Sequence, residues 1–121
     1  MALAINTLGN SDVQVTELGF GGAPLGSVGS RVSDEKASQI LQAAYDAGIR
    51  YFDTAPLYGH GLSERRLGGF LQTLPRDSFS LSSKVGRLLV PTGEGERFEQ
   101  MGDEEPFSIR YDYSYDAARQ S

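Results

Sequence analysis

Three residues whose types and spacing could support proton transfer stand near the ends of two predicted strands. Asp53 closes the apolar and aromatic stretch 49–53, Tyr58 follows five residues later, and Lys84 lies near the end of the stretch 79–85. In a parallel sheet, neighbouring strands run about 4.8 Å apart and their carboxyl ends share one edge. We therefore expect the three side chains to converge there.

The chemistry expected of this cluster is proton donation by a phenol. A free tyrosine titrates near about pH 10, and a cation within hydrogen-bonding reach lowers that pKa. Lys84 would supply the cation, and Asp53 would keep it charged and oriented. Tyr58 could then protonate a carbonyl oxygen while hydride arrives at the carbon, or act as the base in the oxidative direction. Taken singly, each of the three residues also fits an ordinary turn, loop or surface position. The hypothesis of proton donation by Tyr58 therefore depends on their combination.

His60 is the only histidine of the chain, and it lies between two glycines in the predicted loop 54–62. A loop histidine of this kind is expected to be exposed, with a structural role or a contact to substrate. Metal binding would need further ligands at supportive spacing, and the sequence supplies none. We therefore predict no metal site.

The glycine-rich segment 19–29 does not match a phosphate-binding fingerprint. Counting from Gly19, the third glycine of G-x-G-x-x-G would fall at Pro24. The pair Gly21 and Gly26 has P-loop spacing, but the P-loop lysine does not follow it. A strand end lined by glycines instead allows a flat ring to approach the backbone.

The elements that must position these residues alternate between strand and helix. The predicted order is a hairpin over 3–15, a short strand over 18–21, a helix from the cap Ser33 to Gly48, a strand over 49–53, a helix from the cap Ser63 to Pro75, a strand over 79–85, a long irregular segment over 86–111, and the start of a helix over 114–120.

Both complete helices show apolar residues at the spacing of one helical face. The first has Ala37, Ile40, Leu41 and Ala44, and the second has Leu67, Phe70, Leu71 and Leu74. Gly68 and Gly69 cost the second helix roughly 1 kcal/mol each relative to alanine. Close packing of that helix against a neighbour would explain the two glycines.

Strands separated by helices of this length pair in parallel through right-handed crossovers. The fold class is therefore α/β, and two architectures fit: an open doubly wound sheet or a (β/α)₈ barrel. The missing phosphate fingerprint removes the best support for the open sheet. A nucleotide-binding domain of that kind stays open as a weaker alternative.

Composition excludes several other classes of protein. The chain has 121 residues, of which 39% are hydrophobic and 22% charged, with a net charge of −5. An acidic chain repels phosphate backbones, so we predict no nucleic-acid binding, and the acidic run 94–105 reads as a solvated loop. No apolar run approaches the roughly 18 residues of a membrane span, and no secretion signal is evident. The expected location is therefore cytoplasmic.

At this point the residues resemble the aldo-keto reductase family. The motifs that carry the resemblance lie at 18–22, 47–55, 58–59, 63–64, 67–68 and 82–86. Within the family, the segments 21–26 and 55–61 are similar to the bacterial branch that acts on aldoses or pyridoxal.

The resemblance implies part of a (β/α)₈ TIM barrel with NAD or NADP as cofactor and a small carbonyl compound or sugar as substrate. Tyr58 would be the general acid/base, with Asp53 and Lys84 its supporting pair. Gly22, Ala23 and Asp53 would lie near the nicotinamide, and His60 near the substrate. The catalytic histidine that the family has on its fourth strand has no counterpart within the chain.

A barrel of this type needs about 250 residues, so the chain would supply roughly three of eight units. We expect one incomplete domain over 1–121: an N-terminal hairpin over 1–16, β-α-β-α-β over 17–85, an acidic loop over 86–113 and the start of a helix over 114–121. Alone, this chain is expected to be inactive. The alternative is a non-catalytic remnant that acts only by association with other chains, and the oligomeric state stays open.

Overall fold

The structure, a computed structural model, describes residues 2–121, so Met1 of the predicted N-terminal hairpin lies outside the described residues. Seven strands and three α-helices follow one another along residues 2–121. The strands are β1 Ile5–Thr7, β2 Gln14–Thr16, β3 Phe20–Gly21, β4 Tyr51–Asp53, β5 Ser80–Ser82, β6 Arg87–Pro91 and β7 Phe107–Tyr111, and the helices are α1 Asp34–Asp46, α2 Leu62–Leu71 and α3 Tyr115–Gln120.

The central sheet has the order β3-β4-β5, and both pairings are parallel. This confirms the parallel β-α-β-α-β arrangement predicted from the alternation of strands and helices. Gly21 is paired with Asp53 on one side of β4, and Ser82 is paired with Asp53 on the other. The register therefore brings the carboxyl ends of all three strands to one edge.

The first helix follows its sequence signals closely. The Ser33 hydroxyl accepts a hydrogen bond from the amide of Lys36 at 3.1 Å, and Asp34 and Glu35 occupy the first turn. Gly48, just past the helix, has φ +96°, a conformation that glycine adopts without steric cost. These contacts confirm the predicted start and end of α1.

The hydrophobic core lies between the sheet and the first two helices. Phe52 at its centre is fully buried, and its ring packs against Phe20 and Phe79 with centroids 5.9 and 6.5 Å away. The other buried members of the core are Leu25, Ala37, Leu41, Ala44, Ile49, Leu67 and Leu71. Three of the four predicted face residues of α1 and two of the four of α2 are among them, so the core packs both helices against the sheet.

The second helix departs from prediction at its start and in its interior. Its N-cap is Gly61, with φ +99°, and Ser63 lies inside the helix, so the predicted Ser63 cap is wrong. Gly68 and Gly69 are exposed, and nothing within 4 Å would meet a Cβ on either. The close packing that would explain these two glycines is therefore absent among residues 2–121.

The segment predicted to be irregular contains a β-hairpin. β6 and β7 pair antiparallel over five residues each, with Leu89 opposite Ile109. The acidic run 94–105 lies in the connection between these strands. The prediction that 86–111 is irregular is therefore wrong for its two ends, which form β6 and β7. The two short apolar stretches were not recognised as strands because the connection between them is long and polar.

Two smaller elements match their predictions. β1 and β2 form the expected antiparallel hairpin, and Thr16 and Gln14 of β2 accept hydrogen bonds from the Arg50 amide (3.1 Å) and the Ser80 hydroxyl (2.5 Å). The hairpin therefore lies across the amino ends of β4 and β5. At the other end of the chain, the Ser114 hydroxyl caps α3.

Across residues 2–121, no helix combines the length and apolar character that crossing a membrane requires.

Candidate active site

The central contact of the site is an ion pair between Asp53 and Lys84. Asp53 is the last residue of β4, and Lys84 follows β5 by two residues. The Lys84 ammonium donates to Asp53 Oδ2 at 2.9 Å and to the Thr54 carbonyl oxygen, also at 2.9 Å. Two neighbouring parallel strands thus bring a carboxylate and an amine together at their carboxyl ends, as the sequence predicts.

Both members of this pair are stabilised in their charged forms. Partial burial opposes ionisation of Asp53, but hydrogen bonds from Ser82 and Lys84 outweigh it and lower the pKa of that carboxyl. Burial likewise disfavours the Lys84 cation, but the hydrogen bond and attraction of Asp53, with a contribution from Tyr58, raise the pKa of the amine. The site therefore holds a fixed cation with its counter-ion.

Tyr58 lies beside this cation on the loop between β4 and α2. The Lys84 Nζ atom is 5.1 Å from the centre of the Tyr58 ring, whereas its two short hydrogen bonds go to Asp53 and Thr54. The ring is half-buried, so one part of it faces solvent. Asp53, Tyr58 and Lys84 are thus brought together at one edge.

The Tyr58 backbone is held at both its amide and its carbonyl. Its amide donates to the Ala55 carbonyl oxygen at 3.2 Å, and its carbonyl accepts from the Ser63 amide at 3.1 Å. Gly26 lies directly against the Tyr58 carbonyl group, and a Cβ on Gly26 would collide with it. The loop is therefore packed between the β3–α1 connection and the start of α2.

Gly22 and Ala23 lie at the carboxyl end of β3, next to Asp53. The Gly22 amide donates to the Asp53 carbonyl oxygen at 2.7 Å, and a Cβ on Gly22 would stand 2.7 Å from that same oxygen. Ala23 is half-buried and begins the short 3-10 turn Ala23–Gly26. Gly21, opposite Asp53, is exposed with open space where a Cβ would be. This strand end therefore leaves room for a flat ring near the ion pair.

Ser63, predicted from the sequence to be the N-cap of α2, is instead a structural part of the site. Its buried hydroxyl donates to the Gly22 carbonyl oxygen at 2.7 Å and is 2.8 Å from the Thr54 hydroxyl. It therefore ties α2 to the ends of β3 and β4. In the sequence, the signal for a role of Ser63 in the site was the Ser63-Glu64 motif, which belongs to the family resemblance.

His60 is placed differently from the expectation for an exposed loop residue. The side chain is fully buried. Its Nε2 atom accepts from the Phe98 amide at 3.2 Å, so Nδ1 carries the proton and donates to the Gly102 carbonyl oxygen at 3.0 Å. Burial and the charge of Arg97 lower the pKa of the imidazole, although the bond to Gly102 opposes them. The predicted exposure is therefore wrong. Both ring nitrogens of His60 are bonded to backbone groups, and its contact with substrate stays a prediction.

The cavities do not all lie at this edge. One cavity, of about 490 Å³, lies at the opposite end of the sheet, between β2 and the beginning of β5. A cavity of about 220 Å³ is lined by Pro56 of the Tyr58 loop, Glu64 of α2 and Arg87 of β6. Within residues 2–121, no three histidine or carboxylate side chains cluster closely enough to hold a metal ion.

Solved structures define the class of fold to which this arrangement belongs. An aldo-keto reductase from Bacillus halodurans in its holo form is similar at a TM-score of 0.69 and 34% identity, over 98% of this chain and 33% of that one. The glycerol dehydrogenase of Gluconobacter oxydans gives a TM-score of 0.68 at 26% identity, over 99% of this chain and 34% of that one. The chain thus adopts part of the (β/α)₈ barrel of these proteins.

Sequence comparison identifies the family. Residues 17–121 match the Aldo/keto reductase family, and the chain belongs to it. Among curated relatives, a D-threo-aldose 1-dehydrogenase from Pseudomonas sp is 58% identical over 66% of this chain and 24% of its own length. A pyridoxal 4-dehydrogenase from Microbacterium luteolum is 39% identical over 94% of this chain and 36% of its own length. The chain therefore spans about a quarter to a third of the length of these relatives.

Proposed function

We propose that residues 1–121 form the first three βα units of an NAD(P)-dependent aldo-keto reductase in which Tyr58 is the general acid/base. The single observation that carries the proposal is the ammonium of Lys84, bonded to Asp53 at 2.9 Å and lying 5.1 Å from the centre of the Tyr58 ring. The reaction would interconvert an aldehyde, ketone or aldose and its alcohol or lactone.

In this mechanism Tyr58 exchanges a proton with the reacting oxygen. A fixed positive charge beside the ring would stabilise the negative charge that develops on the Tyr58 oxygen as its proton moves to the reacting oxygen. Lys84 supplies that positive charge, and Asp53 fixes the Lys84 side chain and stays ionised throughout. A bound nicotinamide would supply the hydride in reduction and accept it in oxidation. Tyr58 gives the proton in the first direction and takes it in the second.

The cofactor ring fits the carboxyl end of β3. Gly21 is exposed there with no Cβ in the way, and it stands opposite Asp53 in the register. Gly22 and Ala23 follow Gly21 directly, with the Gly22 amide bonded to the Asp53 carbonyl oxygen, so their backbone would line the nicotinamide site. A choice between NAD and NADP is made by contacts to the 2′ position of the adenosine ribose, so both cofactors belong in the assay.

The substrate class proposed is a small aldose or pyridoxal. It rests on the names of the relatives, which include D-threo-aldose 1-dehydrogenase, pyridoxal 4-dehydrogenase and an L-galactose dehydrogenase from Arabidopsis thaliana that is 36% identical over 92% of this chain. Assays with L-galactose, L-fucose and pyridoxal, each with NAD⁺ and NADP⁺, would separate these substrates.

The proposed compartment is the cytoplasm.

The activity is proposed for the full-length protein in which further barrel units accompany residues 1–121. Among the described residues β5 pairs only with β4, and Leu81 on β5 is 45% exposed. The free edge of β5 is where the next barrel strand would pair. We propose the four segments 1–16, 17–85, 86–113 and 114–121 as parts of that one domain.

The test is the substitution Tyr58→Phe in the full-length protein, with Tyr45→Phe as the control. Tyr45 packs its ring against Phe70 and Arg50, away from the ion pair. Tyr58→Phe should abolish turnover while NADPH still binds, as measured by fluorescence titration, and Tyr45→Phe should leave both unchanged. Normal turnover in the Tyr58 variant would refute the proposal. Native mass spectrometry that finds the 121-residue chain in a stable assembly without oxidoreductase activity would favour the non-catalytic alternative.

A further inference from the structure

The Asp53 carboxylate has a second partner besides Lys84. The Ser82 hydroxyl donates to Asp53 Oδ1 at 2.7 Å, while Lys84 occupies Oδ2 at 2.9 Å. Each oxygen of the carboxylate is therefore engaged by a different residue. Two donors on two oxygens fix the plane of the carboxylate, which a single ion pair would leave free to rotate.

A third hydroxyl completes a directed chain of hydrogen bonds. The Tyr51 hydroxyl lies 3.1 Å from the Ser82 Oγ atom. A serine hydroxyl has one proton, and Ser82 gives it to the carboxylate, which accepts only. The phenol of Tyr51 must therefore donate to Ser82. Bonds aligned in one direction polarise one another, so the Tyr51 bond strengthens the bond from Ser82 to Asp53.

The geometry of the sheet explains why these side chains meet. Asp53 and Ser82 are register partners on β4 and β5, so their side chains lie on the same face. Tyr51 precedes Asp53 by two residues and shares that face. The Tyr51 ring also passes close to Gly19, where a Cβ would stand 2.8 Å from the ring atom Cδ1. A glycine before β3 thus gives the ring its space.

We propose that Ser82 is a positioning residue for the oxidoreductase reaction, acting through Asp53 and itself held by the Tyr51 hydroxyl. This inference rests on the proposed function of Tyr58 and Lys84. Ser82 touches no reacting atom in this scheme. Its task is to hold the carboxylate in the orientation that directs the Lys84 ammonium toward the Tyr58 ring.

The experiment compares Ser82→Val with Ser82→Thr in the full-length protein. Valine and threonine have nearly the same shape and both suit a strand, so the pair isolates the hydroxyl group. Ser82→Val should lower kcat about tenfold, which corresponds to about 1.4 kcal/mol of lost transition-state stabilisation, with KM within about twofold. Ser82→Thr should restore kcat to within about twofold of the wild type.

The neighbouring Ser83→Ala provides the matched control. The Ser83 hydroxyl donates to Glu64 at 2.7 Å, outside the Asp53 chain, so this variant should keep the wild-type kcat. Tyr51→Phe should give a smaller loss than Ser82→Val, because it removes only the second bond of the chain.

The pH profile of kcat distinguishes positioning from a general structural defect. The titratable groups that face Asp53 are Tyr51 on its own strand, Lys84 beyond β5 and Tyr58 on the adjoining loop, and β3 presents the backbone of Gly22. Without the Ser82 donor the carboxylate is less stable, so the acid limb of the profile should move to higher pH in Ser82→Val and return in Ser82→Thr. A lower melting temperature alone would not move it.

The outcomes separate the inference from the function on which it rests. Wild-type kcat and an unshifted acid limb in Ser82→Val would overturn the positioning role, while an inactive Tyr58→Phe would leave the proposed function intact. An equal loss in Ser82→Thr and Ser82→Val would also overturn it. Normal turnover in Tyr58→Phe would overturn both together.

Discussion

Gly59 lies against Gly26 so closely that a Cβ on Gly59 would stand 2.5 Å from the Gly26 carbonyl oxygen. Gly59 also has φ +69°, a conformation that other residues rarely adopt. This contact joins the connection after β3 to the loop after β4. Since Tyr58 directly precedes Gly59, the packing of two glycine backbones fixes the position of the proposed proton donor.

Gly26→Ala should therefore destabilise the full-length protein. The new methyl group would meet the backbone of Tyr58 and Gly59, which cannot move aside as a flexible side chain could. Overpacking of this kind costs about 1–3 kcal/mol. Denaturant unfolding measures the loss, and Gly21→Ala, where a Cβ has open space, is the control. An equal free energy of unfolding for both variants would contradict the close contact.

Arg66 and its neighbour Arg65 should respond very differently to substitution. The Arg66 side chain is 6% exposed and donates to the carbonyl oxygens of Leu25 and Val32 at 2.7 Å each. Arg66→Ala would leave both carbonyl groups without this donor, at a cost of about 1–3 kcal/mol for each that stays buried.

Arg65 serves as the matched control for this comparison. Its side chain is 53% exposed and pairs with Glu105 at 2.9 Å. Because Arg65 is about half exposed, solvent screens this pair, so Arg65→Ala should cost less stability than Arg66→Ala even though the Glu105 side chain is only 16% exposed. The two free energies of unfolding can be compared directly by urea titration. A larger loss for Arg65→Ala than for Arg66→Ala would contradict the role of Arg66 in holding the β3–α1 connection.

Gly68→Ala and Gly69→Ala should each stabilise the protein. Both glycines lie inside α2 with open space around them, so a methyl group meets no neighbour among the described residues. Alanine is favoured over glycine in a helix by about 1 kcal/mol. A thermal melt of each variant should show a higher midpoint. A lower midpoint would show that a part of the protein outside residues 2–121 packs against this surface of α2.

His60 should make stability depend on pH in the mildly acidic range. Its pKa in the folded protein is lowered from about 6.5, so the unfolded chain takes up the proton first as the pH falls. The stability that neutral His60 provides is complete above about pH 6.5 and is lost as the pH falls toward the lower folded pKa. His60→Asn suits the residue's φ of +51° and removes the titration. The difference in free energy of unfolding between wild type and variant should therefore shrink from pH 7.5 to pH 5, and a constant difference would contradict the buried neutral imidazole.

The sequence predicted the elements that depend on local signals. α1 begins at the Ser33 cap and ends before Gly48 because capping and chain reversal involve residues close in sequence. The convergence of Asp53 and Lys84 followed from a general property of parallel strands. The prediction that Ser63 caps α2 was wrong because it also relied on local signals. A serine before a helical pattern has a capping signature, whereas the hydrogen bond from Ser63 to the Gly22 carbonyl oxygen joins residues that are distant in sequence.

The sequence by itself determined the alternation of strands and helices, the family, and the carboxylate, phenol and amine proposed for the chemistry. Local hydrogen bonds and apolar periodicity are sufficient for that much. Tertiary structure decided that His60 is buried under the β6–β7 connection, that Ser82 faces Asp53, and that Gly26 touches the Tyr58 loop. These contacts join residues 29 to 42 positions apart or depend on strand register. A pairing between distant segments is selected by packing of the whole chain, and no short stretch of sequence encodes it.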